Sequence, residues 1–314
     1  MNVGGIEHMT SWAARKYGRL VLASGLSTFL MVNLTLHAGA GLQYYCSHEC
    51  LEDLLEGPLP SLDRDAIFHI QKYWVDPPAS RGAYKPPFPL EKPPWGTMGN
   101  WGEAYKFINT YFKNYQRPGT FLEIGAQDGE FMSLTLFVEQ ELGFRGLLVE
   151  PNPVDYTALR DNRRASASIN ACATPRGGHR KDTLWLRHIP DNLPPLLRRM
   201  QAGNNRLYEY VSSEDRDLGQ TVEVQCFNAG ALAVAGLGTT RIDLLVISTH
   251  GGEMDILDSI PLSVHFRVVV VVVPLATTEE WDQLKRMAAR RGLTQVFDKY
   301  NIHILLPSNE VKIV

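Results

Sequence analysis

Apolar positions fall into two regimes along this chain. Residues 20–36 pass without a formal charge and are rich in Leu, Val, Phe and Met, close to the roughly 20 residues that carry a helix across a bilayer core. From about residue 101 the pattern alternates instead. Trp101–Lys113 places Tyr105, Ile108 and Phe112 at helical spacing, Pro118-Gly119 breaks the run, and Thr120–Ile124 has the short apolar form of a buried strand. The same reading predicts helix over 131–142, strand over 146–150, and helix over 153–164 with Asn152 as cap and Pro153 in its first turn. Further strands are predicted at 168–173, 184–188, 221–226, 243–248, 266–273, 295–298 and 302–306, with helices over 228–237 and 278–291. Strands spaced by helices, with 268–273 apolar throughout, predict an α/β domain over 100–314: a mostly parallel sheet covered by helices on both faces.

The uncharged N-terminal run has asymmetric flanks. Arg15, Lys16 and Arg19 precede it, and Glu49, Glu52, Asp53 and Glu56 follow. The positive-inside tendency then predicts a cytosolic tail over 1–19, a signal-anchor helix over 20–42 and a lumenal remainder, a type II arrangement. Two other readings stay open. Ala38-Gly39-Ala40 fits a signal-peptidase site, and Ser24, Ser27, Thr28, Asn33 and Thr35 leave the run polar enough for a buried helix of a soluble domain. Nine of the nineteen prolines fall between Pro58 and Pro94, so 43–99 is expected to be a stem with one short helix, capped by Asp63 and placing Ile67, Ile70 and Trp74 on one face. Cys46 and Cys50 lack further ligands for zinc. Cys172 and Cys226 can pair only if their strands lie side by side.

Composition adds exclusions. With 44% hydrophobic and 21% charged residues, neither general disorder nor a multi-span membrane protein fits. A net charge of −3 argues against a nucleic-acid-coating surface. The stretch 175–220 does concentrate Arg176, Arg180, Lys181, Arg187, Arg198, Arg199 and Arg206; a solvated face is the default there, an acidic-ligand surface the alternative.

The chemistry concentrates in F-L-E-I-G-A-Q-D-G over 121–129. Glu123 closes a strand, and Gly125 and Gly129 form an E-x-G-x-x-x-G loop before a helix. Such a loop lies beyond the carboxyl end of the strand, where open α/β sheets bind ligands. Glu150 ends the next strand, 27 positions after Glu123, where a carboxylate can accept both hydroxyls of a ribose. The spacing departs from the G-x-G-x-x-G dinucleotide fingerprint and favours S-adenosylmethionine over a nicotinamide nucleotide.

Residues 121–136, then G-L-L-V-E-P-N-P over 146–153 and the segment 156–163, resemble the FkbM-type methyltransferase domain, in the version of the arthropod Star-like proteins. The resemblance spans about 62–306. It implies a Rossmann-like methyltransferase fold, with Glu123, Gly125, Asp128 and Gly129 in the adenosylmethionine loop and Glu150 on the ribose. It also implies a single-pass architecture in the endoplasmic reticulum, Golgi and endosomes, and partners among membrane-bound growth-factor precursors of the epidermal type. The second family motif differs here. In I-D-L-L-V-I-S-T-H-G-G-E over 242–253, Asp243, Gly251 and Glu253 match while Ser248 and His250 replace two acids. His250, with Glu253 beside it, is the remaining candidate for a catalytic base, and an ordinary loop histidine is the competing reading. Two functions are therefore expected to compete, a trafficking or recognition module and an active O-methyltransferase, with an inert tethered fold as a third.

Overall fold

Asp63 accepts hydrogen bonds from the backbone N–H groups of Asp65 and Ala66, satisfying orphan donors at the start of the short helix α1 (Arg64–His69). A π-helical turn (Ile70–Trp74) carries the chain into β1 (Val75–Asp76), so the short stem helix expected from the spacing of Ile67, Ile70 and Trp74 is present. The computed structural model describes residues 60–273, 277–299 and 301–311. The expected tail, the expected anchor at 20–42, the Ala38-Gly39-Ala40 site, Cys46, Cys50 and the first part of the stem lie outside them. Among the described residues no helix is long and apolar enough to cross a membrane.

The chain then alternates. Helix α2 (Trp101–Lys113) leads to β2 (Thr120–Ile124), α3 (Leu136–Gln140), β3 (Arg145–Val149), α4 (Pro153–Asn162), β4 (Ala167–Ile169) and β5 (Cys172–Ala173). An excursion follows: β6 (Arg180–Arg187), α5 (Pro195–Ala202), β7 (Arg206–Leu207) and β8 (Gly219–Phe227). The alternation resumes with α6 (Ala229–Leu237), β9 (Arg241–Ile247), α7 (Glu253–Ser259), β10 (His265–Val272), α8 (Thr278–Arg290), β11 (Leu293–Lys299) and β12 (Ile302–Pro307).

The main sheet runs β1-β4-β3-β2-β9-β10-β12-β11. Its middle, β4 to β10, is parallel, whereas β1, β12 and β11 pair antiparallel at the two edges. The expected mostly parallel sheet is thus a mixed one. The parallel strands are buried on both faces, Leu122, Leu147, Leu245 and Val269 toward one apolar cluster and Phe121, Leu148, Leu244 and Val270 toward the other, as continuous apolar runs require. The sequence reading also missed a second sheet, β5-β8-β6-β7, and the helices α5 and α7. Helix α5 is two turns long and none of its side chains is buried; its apolar residues Leu196, Leu197 and Met200 are exposed.

Helix α3 is far shorter than the helix expected over 131–142. The reason is a buried charge. Glu123 faces the interior from β2 and accepts hydrogen bonds from Ser133 Oγ (2.8 Å), Thr135 Oγ1 (2.5 Å) and the Leu134 N–H (3.3 Å). Drawing two hydroxyls and an amide inward holds 131–135 out of helix, and Met132 takes a positive φ of 54°. Opposite stands Arg164, buried to 3% exposure. Its guanidinium bonds Glu139 (3.1 Å), the carbonyl of Gly129 (2.7 Å) and both hydroxyls, and it lies 3.7 Å from Glu123. Burial pushes the Glu123 carboxyl above the usual carboxylate range, with Arg164 and the hydroxyls opposing that shift.

The second sheet continues from the first through the chain between β4 and β5, and a disulfide closes it internally. Strands β5 and β8 run parallel with Cys172 opposite Cys226, and the two sulfurs are bonded at a Cα–Cα distance of 4.4 Å. The condition left open by the sequence is met. The basic cluster of 175–220 is neutralised: Arg176 pairs with Glu209, Arg180 with Asp182, Lys181 with Glu223, Arg187 and Arg206 with Asp215, Arg198 with Asp191, and Arg199 with Asp128 and Glu130. Most of the positive charge that an acidic-ligand surface would need is thus already paired, although Arg187 and Arg206 share the one carboxylate of Asp215.

Replacing Arg164 by Met leaves two buried carboxylates without their cation, and is expected to lower unfolding free energy in urea by about 3–5 kcal/mol. Cys172→Ser with Cys226→Ser is expected to cost about 2–4 kcal/mol in the same measurement under oxidising conditions, and nothing under reducing ones.

Candidate functional site

The parallel strands β2, β3 and β9 end side by side, and their carboxyl ends form the floor of a cleft. The loop after β2 turns at once against β3, since the N–H groups of Gly125 and Ala126 both donate to the one Val149 carbonyl (2.9 and 3.0 Å). Gly125 has a φ of +82°, and a Cβ there would lie 1.9 Å from the Ser248 carbonyl oxygen. A side chain at this position would drive the β2 and β9 loops apart, so only glycine fits.

Glu150 follows β3 and is 5% exposed. One carboxylate oxygen accepts the Gln127 N–H (2.8 Å) and the other the Asn152 N–H (2.8 Å), which ties the glycine loop to the start of α4. Each oxygen retains a lone pair. Burial, then the neighbouring Asp155, push the carboxyl up to about 8. Asp155, itself raised by burial, is held by Asn152 Nδ2 at 2.6 Å, and Asn152 caps α4 through the Val154 N–H (3.1 Å). Gln127, Glu150, Asp155, Ser248 and Thr249 thus converge on one cleft.

The expected site residues do not all meet there. Gly125 and Glu150 line the cleft. Glu123 does not: its carboxylate is committed to Ser133, Thr135 and Leu134 beneath the sheet. Gly129 is a packing position, where a Cβ would meet Leu159 at 3.2 Å and Arg164 at 3.3 Å. Asp128 accepts the N–H groups of Glu130 and Phe131 (2.9 and 2.8 Å) and lies on a wide groove beside the cleft. Asp243 sits at the opposite end of its strand, where it accepts hydrogen bonds from the Thr120 N–H (2.8 Å) and the Tyr115 hydroxyl. Sequence reasoning passed over Gln127 and Asp155. The offset of Asp155 from the Asn152 cap was the available signal, since first-turn acids project beyond a helix N-terminus.

At the β9 end the candidate bases are occupied or displaced. Glu253 accepts the N–H groups of Thr249 (3.1 Å) and Gly251 (3.0 Å), closing the loop on itself. His250 has a φ of +57° and is absent from the cleft lining. Burial, with Arg206 nearby, pushes its imidazole down to about 4, so it is neutral at physiological pH. Gly251 and Gly252 have φ values of +150° and +79°, and a Cβ on either would strike the Tyr210 side chain, at its Cβ (2.5 Å) and its ring (2.7 Å) respectively. Tyr210 comes from the excursion and covers this end.

The polar groups suit a ribose, but the space does not. Ala202, Gly203, Asn205, Arg206 and Leu207 roof the cleft and leave about 40 Å³, against the roughly 300–1,000 Å³ of sites that bury small molecules. The groove alongside is about 1140 Å³ and shares Gln127, Asp155, Ala202 and Asn205 with it. The residues around Glu150 fit the sugar of an adenosine; the closed cleft does not admit one.

Comparison with known proteins gives one family match and several distant structural likenesses. No curated protein matches the chain. A precorrin-6y C5,15-methyltransferase from Geobacter metallireducens GS-15 is similar at 14% identity and a TM-score of 0.31, over 65% of this chain and 85% of that one. The methyltransferase FkbM from Methylobacillus flagellatus KT gives 11% and 0.32 over 63% and 47%. The N-terminal domain of human METTL16, in complex with SAH, gives 11% and 0.31 over 83% and 82%. These likenesses are too distant to carry an argument. The family model does, because the methyltransferase FkbM domain matches residues 123–290, more than half of the 314 residues. The match begins at Glu123 and takes in the loop, Glu150, the disulfide-linked excursion and the β9 loop; the chain belongs to the methyltransferase FkbM domain family.

Proposed function

We propose that this domain binds S-adenosylmethionine with the ribose on Glu150, and that in this chain binding serves recognition rather than turnover. One observation carries the binding: a buried carboxylate at the end of β3, fixed by two backbone N–H groups and with lone pairs to spare. When bound, the donor supplies a methyl group on a cationic sulfonium. Gln127 and Asn152 hold the Glu150 carboxylate in place, and the Gly125 turn keeps the β2 loop low enough to leave the strand ends clear. Asp155 stands beside Glu150 as a second acceptor.

Recognition is favoured over turnover by the β9 loop. A general base must reach the proton it takes within about 2.6–3.2 Å or through one water. Here Glu253 is spent on two backbone N–H groups and neutral His250 lies off the cleft. The reading that suits this is the Star-like one: a single-span protein, N-terminus in the cytosol, whose lumenal domain handles membrane-bound growth-factor precursors of the epidermal type in the endoplasmic reticulum, Golgi and endosomes. The Cys172–Cys226 disulfide supports an oxidising compartment. An active O-methyltransferase is the second reading. Its support is that Ser248 and Thr249 line the cleft and that methyl transfer needs mainly positioning.

Isothermal titration of the full-length protein with S-adenosylmethionine is expected to give micromolar affinity. Glu150→Ala should weaken it by about tenfold or more, a loss above 1.4 kcal/mol, with Glu150→Gln as the isosteric control. Absence of heat for the parent protein would remove the binding reading. A ribose diol donates to the ionised carboxylate, and Glu150 holds its proton up to about pH 8. Affinity should therefore rise with pH, about tenfold between pH 6 and 7, and level off above 8; a flat profile would place the sugar elsewhere. For topology, tagged termini in microsomes should leave the C-terminus protected from protease, and a protected N-terminus would sink the type II arrangement.

A further inference from the structure

The excursion is built in two parts of unequal firmness. Strands β6 and β8 pair antiparallel along their length, from Arg180 opposite Cys226 to Arg187 opposite Gly219, and the disulfide pins β8 to β5. What hangs from this hairpin is fixed at its return, where the Arg187 N–H donates to Asn205 Oδ1 at 2.9 Å and Arg206 pairs with Asp215, and is held more lightly before it. Helix α5 buries none of its side chains and exposes Leu196, Leu197 and Met200. The β7 strand that returns from it pairs with β6 at only two positions. Yet three of the five residues that roof the Glu150 cleft, Ala202, Gly203 and Asn205, lie at the end of α5 and just after it, ahead of Arg206 and Leu207 in β7.

One side chain fastens α5 to the glycine loop. Arg199 reaches Asp128 at 2.5 Å and Glu130 at 3.0 Å, the two carboxylates on either side of Gly129. Its guanidinium lies over the rings of Phe131 and Trp95, with centroids at 5.1 and 5.6 Å. Glu130 is held from its other side by the Tyr84 hydroxyl at 2.7 Å, so the acceptors are fixed to the main domain. Gly203 meets the end of the Gln127 side chain. The partition formed by Ala202 and Asn205 is shared by the closed cleft and the open groove, so withdrawing it would merge about 40 Å³ with about 1140 Å³.

We propose that residues 195–205 are a lid over the Glu150 cleft, latched shut by Arg199 on Asp128 and Glu130, and that an adenosine-containing ligand enters only when the latch lets go. The inference rests on the donor-binding reading for the identity of the ligand, and on the geometry alone for the lid. It resolves the mismatch between a cleft with the polar groups for a ribose and a volume that excludes one. A ligand that binds only the open form pays for opening in affinity, by the fraction of molecules that are open. Loosening the latch should therefore tighten binding.

The test uses the full-length protein and two neighbouring variants, Arg199→Ala and Arg198→Ala. Both remove one charge from α5, but Arg198 pairs only with Asp191 and touches neither loop carboxylate. Hydrogen exchange without ligand is expected to rise across 195–205 in Arg199→Ala while β6 and β8 keep their protection, and to stay at the parent level in Arg198→Ala. Titration with S-adenosylmethionine should show an affinity about tenfold tighter for Arg199→Ala and unchanged for Arg198→Ala. Unchanged exchange across 195–205 in Arg199→Ala, or binding that is equal to or weaker than the parent's, would overturn the latch. Loss of protection spread over β6 and β8 as well would overturn it too, by making Arg199 a general support of the excursion. Raised exchange confined to 195–205 with no binding by any of the three proteins would uphold the latch and overturn the donor reading.

Discussion

A single guanidinium, that of Arg164, sets the conditions under which the rest of this domain forms. It is a cation buried between Glu139 and Glu123, and a buried charge is tolerable only when paired and fully hydrogen-bonded. Meeting that demand recruits Ser133, Thr135 and the Gly129 carbonyl. These contacts determine where α3 begins, how the loop after β2 turns, and how α4 ends against it. The Gln127 N–H that meets Glu150 belongs to that same loop. The cleft is therefore positioned from beneath, by a polar cluster that does not line it.

That dependence explains which parts were legible in the sequence. Strands β2, β9, β10 and β12 announce themselves because burial on both faces demands continuous apolar runs. Glu150 is legible because a carboxylate directly after such a run has few purposes. Glu123 misleads for the same reason: it occupies the position of a ligand-facing acid, and its partner Arg164 lies 41 positions away in sequence, a distance no local pattern bridges. The helix predicted over 131–142 fails because hydroxyls that look neutral to a periodicity argument are captured by a buried carboxylate.

The excursion was illegible for a different reason. Its strands are half-exposed, its helix buries nothing, and its charges cancel only once the chain is folded, so composition registered a basic stretch where the fold has ion pairs. The pairing of Cys172 with Cys226 also depended on strand order, since β8 returns to lie beside β5 after 54 residues. A small core of Leu184, Leu207 and Val224 around that bridge makes the excursion a distinct layer over the strand ends.

Gly125 carries a consequence for how such proteins are recognised. Its hydrogen atom faces the Ser248 carbonyl of the neighbouring loop, and Gly129 is similarly wedged against Leu159 and Arg164. Both glycines answer to the stacking of the chain on itself. Natural selection would preserve them in a descendant that had abandoned methyl transfer altogether, because losing them breaks the fold before it touches any chemistry. The signature by which the lineage is identified is thus a record of ancestry and architecture. Evidence of a living activity has to be sought at positions the fold could spare.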